Sequence, residues 1–299
     1  MAALLLVRYG ELALKSPPVR REFEGVLRRN ILDQFVREGL PGRLRSDHGH
    51  LYVEVDDGER AERVLRRVFG VTSVSQVEEV PTDRAAIRER LLERADARLP
   101  AGASFAVRAR RTGQHAFTSQ ELARDLGGDV LDRFADRHLR VDLEHPDVEL
   151  FVEVRGPRTY LYFDRVAGPG GLPLGVAGRL VALVDGPRGA LGAYLMMKRG
   201  CRVGLVTVSS GGELARSVLC RFDPHARVES VAEGPLGWTP SLRALADASH
   251  ADGVVLPITI DEYGPAKSLW GDRVLFSPTV GLSDEEVAER WRNVASLAG

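Results

Sequence analysis

Arginine is the residue whose number and placement in this 299-residue chain point most directly to chemistry. It comes in clusters: Arg20-Arg21, Arg28-Arg29, Arg66-Arg67 and the run Arg108-Ala109-Arg110-Arg111. A guanidinium is planar and always charged, and its fork of N–H groups can grip a phosphate with two hydrogen bonds at once. The run at Arg108 ends a strand-like stretch, Ser104 to Arg110, and leads into a turn, where a cation meets solvent and an incoming phosphate equally well. Gln114, His115 and Thr118 follow in the same loop. Gln114 and Thr118 are placed to contact a ribose or a base, whereas His115 is equally well read as an ordinary loop residue. For Arg20, Arg21 and Arg28 a solvated helix face is at least as good an account as a phosphate contact.

Two further stretches carry chemical possibilities. Ser209-Ser210-Gly211-Gly212-Glu213 follows an apolar run and precedes a helical pattern, the arrangement of an anion-binding turn, although most such turns are plain loops. The only two cysteines, Cys201 and Cys220, form no CxxC, and no histidine pair stands at metal spacing. No metal site and no disulfide framework is expected, both thiols read as buried structural groups, and a reducing cytoplasm is the default. The net charge of -1 speaks against indiscriminate attraction to nucleic acid, so any such contact must come from local clusters. No apolar run reaches the roughly 20 residues of a membrane span, and Met1 to Val7 reads as a first strand, so no membrane association is expected.

The elements that must position these residues are legible from spacing. Leu4 to Arg8 is a compact apolar strand; Pro18 opens a helix with apolar residues at Phe23, Val26, Leu27, Ile31 and Phe35, stopped by Gly39 to Gly42. Arg43 to Ser46 and Leu51 to Val55 form a hairpin through Asp47 to His50, a helix runs from Asp57 to Phe69, and Val71 to Val77 closes the set. This β-α-β-β-α-β order is the ferredoxin-like pattern. A second unit follows: a helix at Arg84 to Ala97, the strand at Ser104, a helix from Thr118 to Phe134 opened by a capping box with Glu121, and strands at Val148 to Val154 and Thr159 to Asp164. After the glycine- and proline-rich stretch Ala167 to Gly175, apolar strands at Leu180, Arg202, Ala226 and Gly253 alternate with helices at Ala190, Leu214 and Leu242, which indicates a parallel, doubly wound sheet.

Three motifs give the chain a resemblance. They are Arg8-Tyr9-Gly10-Glu11-Leu12-Ala13-Leu14-Lys15; Val141-Asp142-Leu143 leading to His145-Pro146-Asp147-Val148; and Gly168-Pro169-Gly170-Gly171-Leu172-Pro173 joined to Tyr194-Leu195-Met196-Met197-Lys198-Arg199-Gly200. Their order and spacing over the first two hundred residues resemble the tRNA 4-thiouridine synthetases, or tRNA sulfurtransferases. The resemblance implies an α/β chain of three parts: a ferredoxin-like domain over 1–79, a THUMP domain over 80–166, and, after a linker at 167–178, a Rossmann-like PP-loop domain over 179–299. It implies recognition of the tRNA acceptor region, with Arg108, Arg110, Arg111, Lys15, Arg20, Arg21, Arg28, Gln114 and Thr118 as candidate contacts.

The same resemblance exposes a departure. The family's phosphate loop reads Ser-Gly-Gly-x-Asp-Ser; Val184-Asp185-Gly186-Pro187-Arg188-Gly189 stands at that position here. A carboxylate lies where phosphates should, a proline removes an N–H donor, and an arginine replaces the carboxylate that would help hold Mg²⁺. Ala182, Leu183, Gly186, Arg188, Gly189, Thr207 and Val208 are thus the residues of a vestigial nucleotide site. The reading that follows is a tRNA-binding chain without ATP-pyrophosphatase chemistry and without a cofactor. One alternative is an active ATP- and Mg²⁺-dependent sulfurtransferase making 4-thiouridine. Another is a tRNA-docking subunit for a separate sulfur-transfer or modification enzyme. The resemblance also allows a homodimer.

Overall fold

The structure, a computed structural model, describes residues 2–10, 16–47, 50–208, 210–231, 239–270 and 273–299. The first six elements are β1 (Ala3–Tyr9), α1 (Pro17–Arg37), β2 (Gly42–Asp47), β3 (His50–Val55), α2 (Gly58–Leu65) and β4 (Val71–Pro81). Next come α3 (Arg84–Asp96), β5 (Ser104–Thr112), α4 (Ser119–Arg133), β6 (Arg140–Val141), β7 (Val148–Arg155), β8 (Arg158–Tyr162) and β9 (Val166–Ala167). The remainder comprises β10 (Arg179–Val184), α5 (Pro187–Lys198), β11 (Arg202–Val208), α6 (Ser210–Phe222), β12 (Val228–Val231), α7 (Thr239–Ala248), β13 (Gly253–Val255), α8 (Tyr263–Leu269), β14 (Val274–Phe276) and α9 (Asp284–Ala298). The expected β-α-β-β-α-β order is present, followed by the α/β elements of a second domain and a parallel-sheet third.

By internal contacts the chain divides into two compact units. Unit 1 holds residues 1–7, 43–58 and 74–166; unit 2 holds 8–42, 59–73 and 167–299. The nine-stranded sheet runs β2-β3-β1-β4-β8-β7-β5-β6, with β9 beside β4. In unit 1, α3 and α4 cover one face. Ile87 and Leu91 of α3 and Leu122, Leu126 and Val130 of α4 pack on Phe105, Val107, Leu150, Val152 and Val154. The period of two in β7 then sends Glu149, Phe151 and Glu153 to the opposite face. There the sheet curls on itself: Tyr52 of β3 and Tyr160 of β8 have β1 and β4 between them, yet their ring centroids lie 4.7 Å apart. A flat sheet would separate them by about 14 Å. The curl buries an ion pair between Glu153 and Arg155, beside His50.

Unit 2 is built on a five-stranded, wholly parallel sheet ordered β12-β11-β10-β13-β14. Residues of α5, α6 and α9 pack on one side of it, and Leu242, Leu245 and Ala246 of α7 with Trp270 on the other. The strand order reverses between β10 and β13, the position at which doubly wound sheets open a crevice at the carboxyl ends of their strands. Helix α1 belongs to this unit. It opens with Pro17 and ends where Gly39, at φ 60°, lets Leu40 N–H reach back to the Phe35 carbonyl. Its Gln34 amide donates to the Arg221 and Phe222 carbonyls, and Asn30 to that of Leu174.

Several boundaries differ from the spacing-based expectation. Helix α2 stops at Leu65 rather than Phe69, because the next turns tighten toward Gly70 at φ 98°. Helix α5 starts at Pro187, three residues early, since proline is favoured in a first turn. Strand β13 ends at Val255, before Pro257, which has no N–H to pair. The stretch from Gly168 to Leu172 is pinned to its surroundings: Gly168 N–H bonds Thr72, Gly170 bonds Val71 and Leu172 bonds Lys198. A Cβ on Gly171 would lie 2.1 Å from the Lys198 carbonyl, so only glycine fits there.

Candidate nucleic-acid interface

The run at Arg108 lies on β5, which pairs in parallel with β7 so that Arg108 stands beside Phe151 and Arg110 beside Glu153. Both arginines leave the sheet on the face away from α3 and α4. They line an open cleft of 570 Å³ together with Ser119 and Gln120 at the start of α4, Phe151, and Arg165 beyond β8. Their electrostatic situations differ. Arg108 donates to the Glu149 carboxylate at 2.8 Å and to the Leu143 carbonyl at 2.8 Å. Arg110 is exposed and has no ion pair or hydrogen bond among the described residues. Arg165 sits 6.0 Å above the ring of Phe151, which itself stacks on Tyr162 with centroids 4.8 Å apart and planes 8° from parallel. Two guanidiniums without an ion pair among the described residues, Arg110 and Arg165, therefore share this lining with the half-buried ring of Phe151.

The remaining residues of this loop shape it. Arg111 donates to the Gly113 carbonyl, and the His115 ring stacks on Phe117 with Nε2 3.0 Å from the Thr112 carbonyl oxygen. Gln114 is exposed. Thr118 accepts the Glu121 N–H while the Glu121 carboxylate takes the Thr118 N–H, so the capping box forms and occupies the Thr118 hydroxyl. The backbone N–H and hydroxyl of Thr118 hold Glu121 below the usual carboxylate range. The motif around His145 acts in the same way. Asp142 accepts the N–H groups of His145 and Glu144, and Asp147 accepts the N–H and hydroxyl of Ser104; these bonds lower both carboxyls and fix the loop that carries Leu143 under Arg108.

The other arginine candidates belong to unit 2, on α1. Arg20 bonds the Tyr9 hydroxyl, whose own proton goes to Glu24 at 3.0 Å. Arg21 is exposed, and Arg28 is half-buried with interactions of its own. Lys15 lies outside the described residues. Phe151, Tyr162 and Arg165 line the cleft as well, and none of them stands in a charge cluster or motif of the sequence. The available signal was an aromatic at Phe151 on the polar side of an alternating strand, flanked by Glu149 and Glu153.

At the carboxyl end of β10 the vestigial loop has a definite structure. Gly186 is the N-cap of α5 and makes no side-chain cap, and Pro187 follows. Arg188 turns away to donate to the carbonyls of Thr279 at 2.7 Å and Leu282 at 2.8 Å and to the Asp284 carboxylate at 2.8 Å. Burial, with Glu262 adding to it, pushes the Asp185 carboxyl up. Gly189 packs too tightly for a side chain, its Cβ position lying 2.4 Å from the Leu183 carbonyl. Ala182 and Leu183 are core residues on opposite faces of β10. Thr207 is buried and donates to Glu213, which Ser230 also engages, so these groups satisfy one another; Val208 ends β11, packed on the core.

The Ser/Gly stretch expected as a turn is, from Ser210 onward, the first turn of α6, with Gly212 against the Val184 carbonyl; Ser209 lies outside the described residues. Cys201 is buried and Cys220 half-buried, both free, and burial raises both thiols, as in unreactive structural cysteines. Among the described residues no group of His, Cys, Asp and Glu is arranged to hold a metal ion. No helix among them is long and apolar enough to cross a membrane.

Residues 4–75 match the ThiI ferredoxin-like domain family and residues 83–164 the THUMP domain family. A probable tRNA sulfurtransferase of Methanothermobacter thermautotrophicus is 40% identical over 206 residues, covering 67% of this chain and 51% of that protein. The tRNA sulfurtransferase of Pyrobaculum aerophilum is 36% identical over 214 residues, 71% of this chain and 43% of that protein. The chain spans about half the length of the curated relatives it matches. Among solved structures, PH1313 from Pyrococcus horikoshii superposes with a TM-score of 0.81 at 27% identity, over 98% of this chain and 99% of that one. A 4-thiouridine synthetase in complex with RNA and bound ATP shares the fold, with a TM-score of 0.79 at 22% identity, over 100% of this chain and 86% of the other. The chain thus carries a ThiI-type ferredoxin-like domain followed by a THUMP domain, and over about two thirds of its length it is homologous to the tRNA sulfurtransferases.

Proposed function

We propose that this chain binds tRNA at its acceptor region through the cleft beside α4, and that its C-terminal domain lacks ATP-pyrophosphatase chemistry. The observation that carries the first part is the pairing of two uncompensated arginines, Arg110 and Arg165, with the stacked Phe151 and Tyr162 in one open cleft of the THUMP domain. Guanidiniums hold phosphates without regard to sequence, as recognition of a structured RNA through its backbone requires. The named activity of the homologous sulfurtransferases makes tRNA the natural candidate among RNAs.

The second part rests on Arg188 and Asp185. In place of the family's small, hydroxyl-bearing loop stand an arginine committed to Thr279, Leu282 and Asp284 and a carboxylate, Asp185, with Glu262 nearby. Neither side chain offers a polyphosphate a partner, and the loop residues do not fit ATP in the family's manner. On this reading the domains divide at 1–79, 80–166, 167–178 and 179–299. The protein works in the cytoplasm, and delivers bound tRNA to a separate sulfur-transfer or modification enzyme. The competing reading, an active sulfurtransferase, has in its favour the activity for which the homologues are named.

The deciding experiment is a tRNA titration of the purified chain with and without ATP-Mg²⁺, repeated with Arg110→Ala. Micromolar or tighter binding that weakens in the variant and ignores ATP supports the proposal. ATP binding, or pyrophosphate release when tRNA is added, overturns its second part; tRNA binding unchanged by Arg110→Ala overturns the assignment of the cleft.

A further inference from the structure

In unit 2, the amino ends of the parallel strands lie at the opposite edge of the sheet from the α5 loop. Three adjacent strands begin there with arginine: Arg179 is the first residue of β10, Arg202 the first of β11, and Arg227 immediately precedes β12. Arg179 and Arg202 are direct partners in the register. With His225, Ser249 and His250 they line a concavity of 390 Å³.

The charges in this concavity are unevenly matched. Asp223, 1% exposed, is the carboxylate in its lining, and it is consumed by Arg202 at 3.0 Å and by the His225 N–H. Nearby Asp252 spends a carboxylate oxygen on the Arg179 backbone N–H. Among the described residues, Arg227 donates only to the Ala248 carbonyl, at 3.2 Å, and the exposed Arg179 side chain has no hydrogen bond or ion pair. The Ser249 hydroxyl is buried without a partner. His250, two residues beyond α7, lies in the left-handed region at φ 50°, where glycine or asparagine is the usual choice, and it too lines the concavity. No Phe, Tyr or Trp stands in the lining, which is dominated by arginine and histidine and so suits recognition of negative charge. Ligands of doubly wound sheets bind at the carboxyl ends of the strands, so this concavity is separate from the vestigial loop.

We propose that this arginine-edged concavity is a phosphate-binding site, with the phosphodiester backbone of tRNA as the expected source and a small phosphate ester as the other. Guanidiniums set side by side at strand ends can hold adjacent phosphate oxygens with charge-assisted hydrogen bonds. The RNA source rests on the tRNA-binding reading above; the phosphate site itself does not.

The test uses the full chain and the double variant Arg179→Ala/Arg227→Ala, which leaves the Arg202–Asp223 ion pair intact. Inorganic pyrophosphate is titrated by calorimetry and tRNA by fluorescence anisotropy, with circular dichroism as the check on folding and Arg110→Ala as the separate probe of the THUMP cleft. The expected result is a loss of pyrophosphate binding and about a tenfold weaker tRNA affinity, the scale of one or two charge-assisted hydrogen bonds. Loss of pyrophosphate binding with tRNA affinity unchanged keeps the phosphate site and assigns it to a small ester. If neither ligand distinguishes the double variant from the parent protein, the proposal is overturned. Should the parent protein bind no tRNA, the cleft reading fails while the pyrophosphate arm still decides this one.

Discussion

A guanidinium already held by a carboxylate has little left for a phosphate, and this separates neighbours that the sequence presents as equals. Arg108 is anchored to Glu149 and Leu143, whereas Arg110 faces the cleft unopposed. Arg110→Ala should therefore weaken RNA binding about tenfold and leave the melting temperature unchanged. Arg108→Ala should lower the melting temperature as well, because it strips a partner from a carboxylate and a carbonyl; paired thermal melts and RNA titrations separate the two effects. Tyr194 gives a residue-scale prediction of another kind. Burial against Phe69 and Phe222 pushes its hydroxyl up to about 12 from 10.0. The folded state thus favours the neutral phenol. That contribution is complete below pH 10 and disappears as the pH rises through about 12. Urea unfolding measured across this window should show Tyr194→Phe losing roughly 2 kcal/mol less stability than the parent protein. Identical slopes would contradict it.

At the scale of elements, the start of α4 separates a structural role from a binding role. Thr118 caps the helix with its hydroxyl, so Thr118→Ala should cost about 1 kcal/mol and lower the melting temperature by a few degrees. RNA affinity, measured well below that melting temperature, should not change; a drop would restore Thr118 as a contact. That box was legible in advance because both its partners lie within one turn of chain, and the β-α-β-β-α-β order was legible because each element carries its own apolar period. The same kind of box, Ser283 with Glu286, opens α9, which spacing alone had left unassigned along with the three-residue strand β14. What local pattern could not supply was the parallel pairing of β5 with β7, more than forty residues apart, and the curl that stacks Tyr52 on Tyr160. The partners of Arg188, about ninety residues downstream, were beyond reach for the same reason: the residue type promised a phosphate ligand, and the fold spends it on carbonyls.

For the whole molecule, the balance of 41 basic against 42 acidic side chains leaves no net field to draw in a polyanion. Affinity for RNA must then come from a few local contacts whose counterions are released on binding, and the salt dependence counts them. Arg110 and Arg165 in one unit and Arg179 and Arg227 in the other are the arginines without a carboxylate partner at the two proposed sites. If all four engage phosphates, the logarithm of the association constant should fall against the logarithm of salt concentration with a slope of about -3 to -4. Arg110→Ala should reduce that slope by about one, and Arg179→Ala/Arg227→Ala by about two. A parent slope near -1 or -2 that only the cleft variant alters would confine RNA to unit 1. A slope that no variant alters would mean that the protein meets RNA through cations other than these four, against the assignment of both sites.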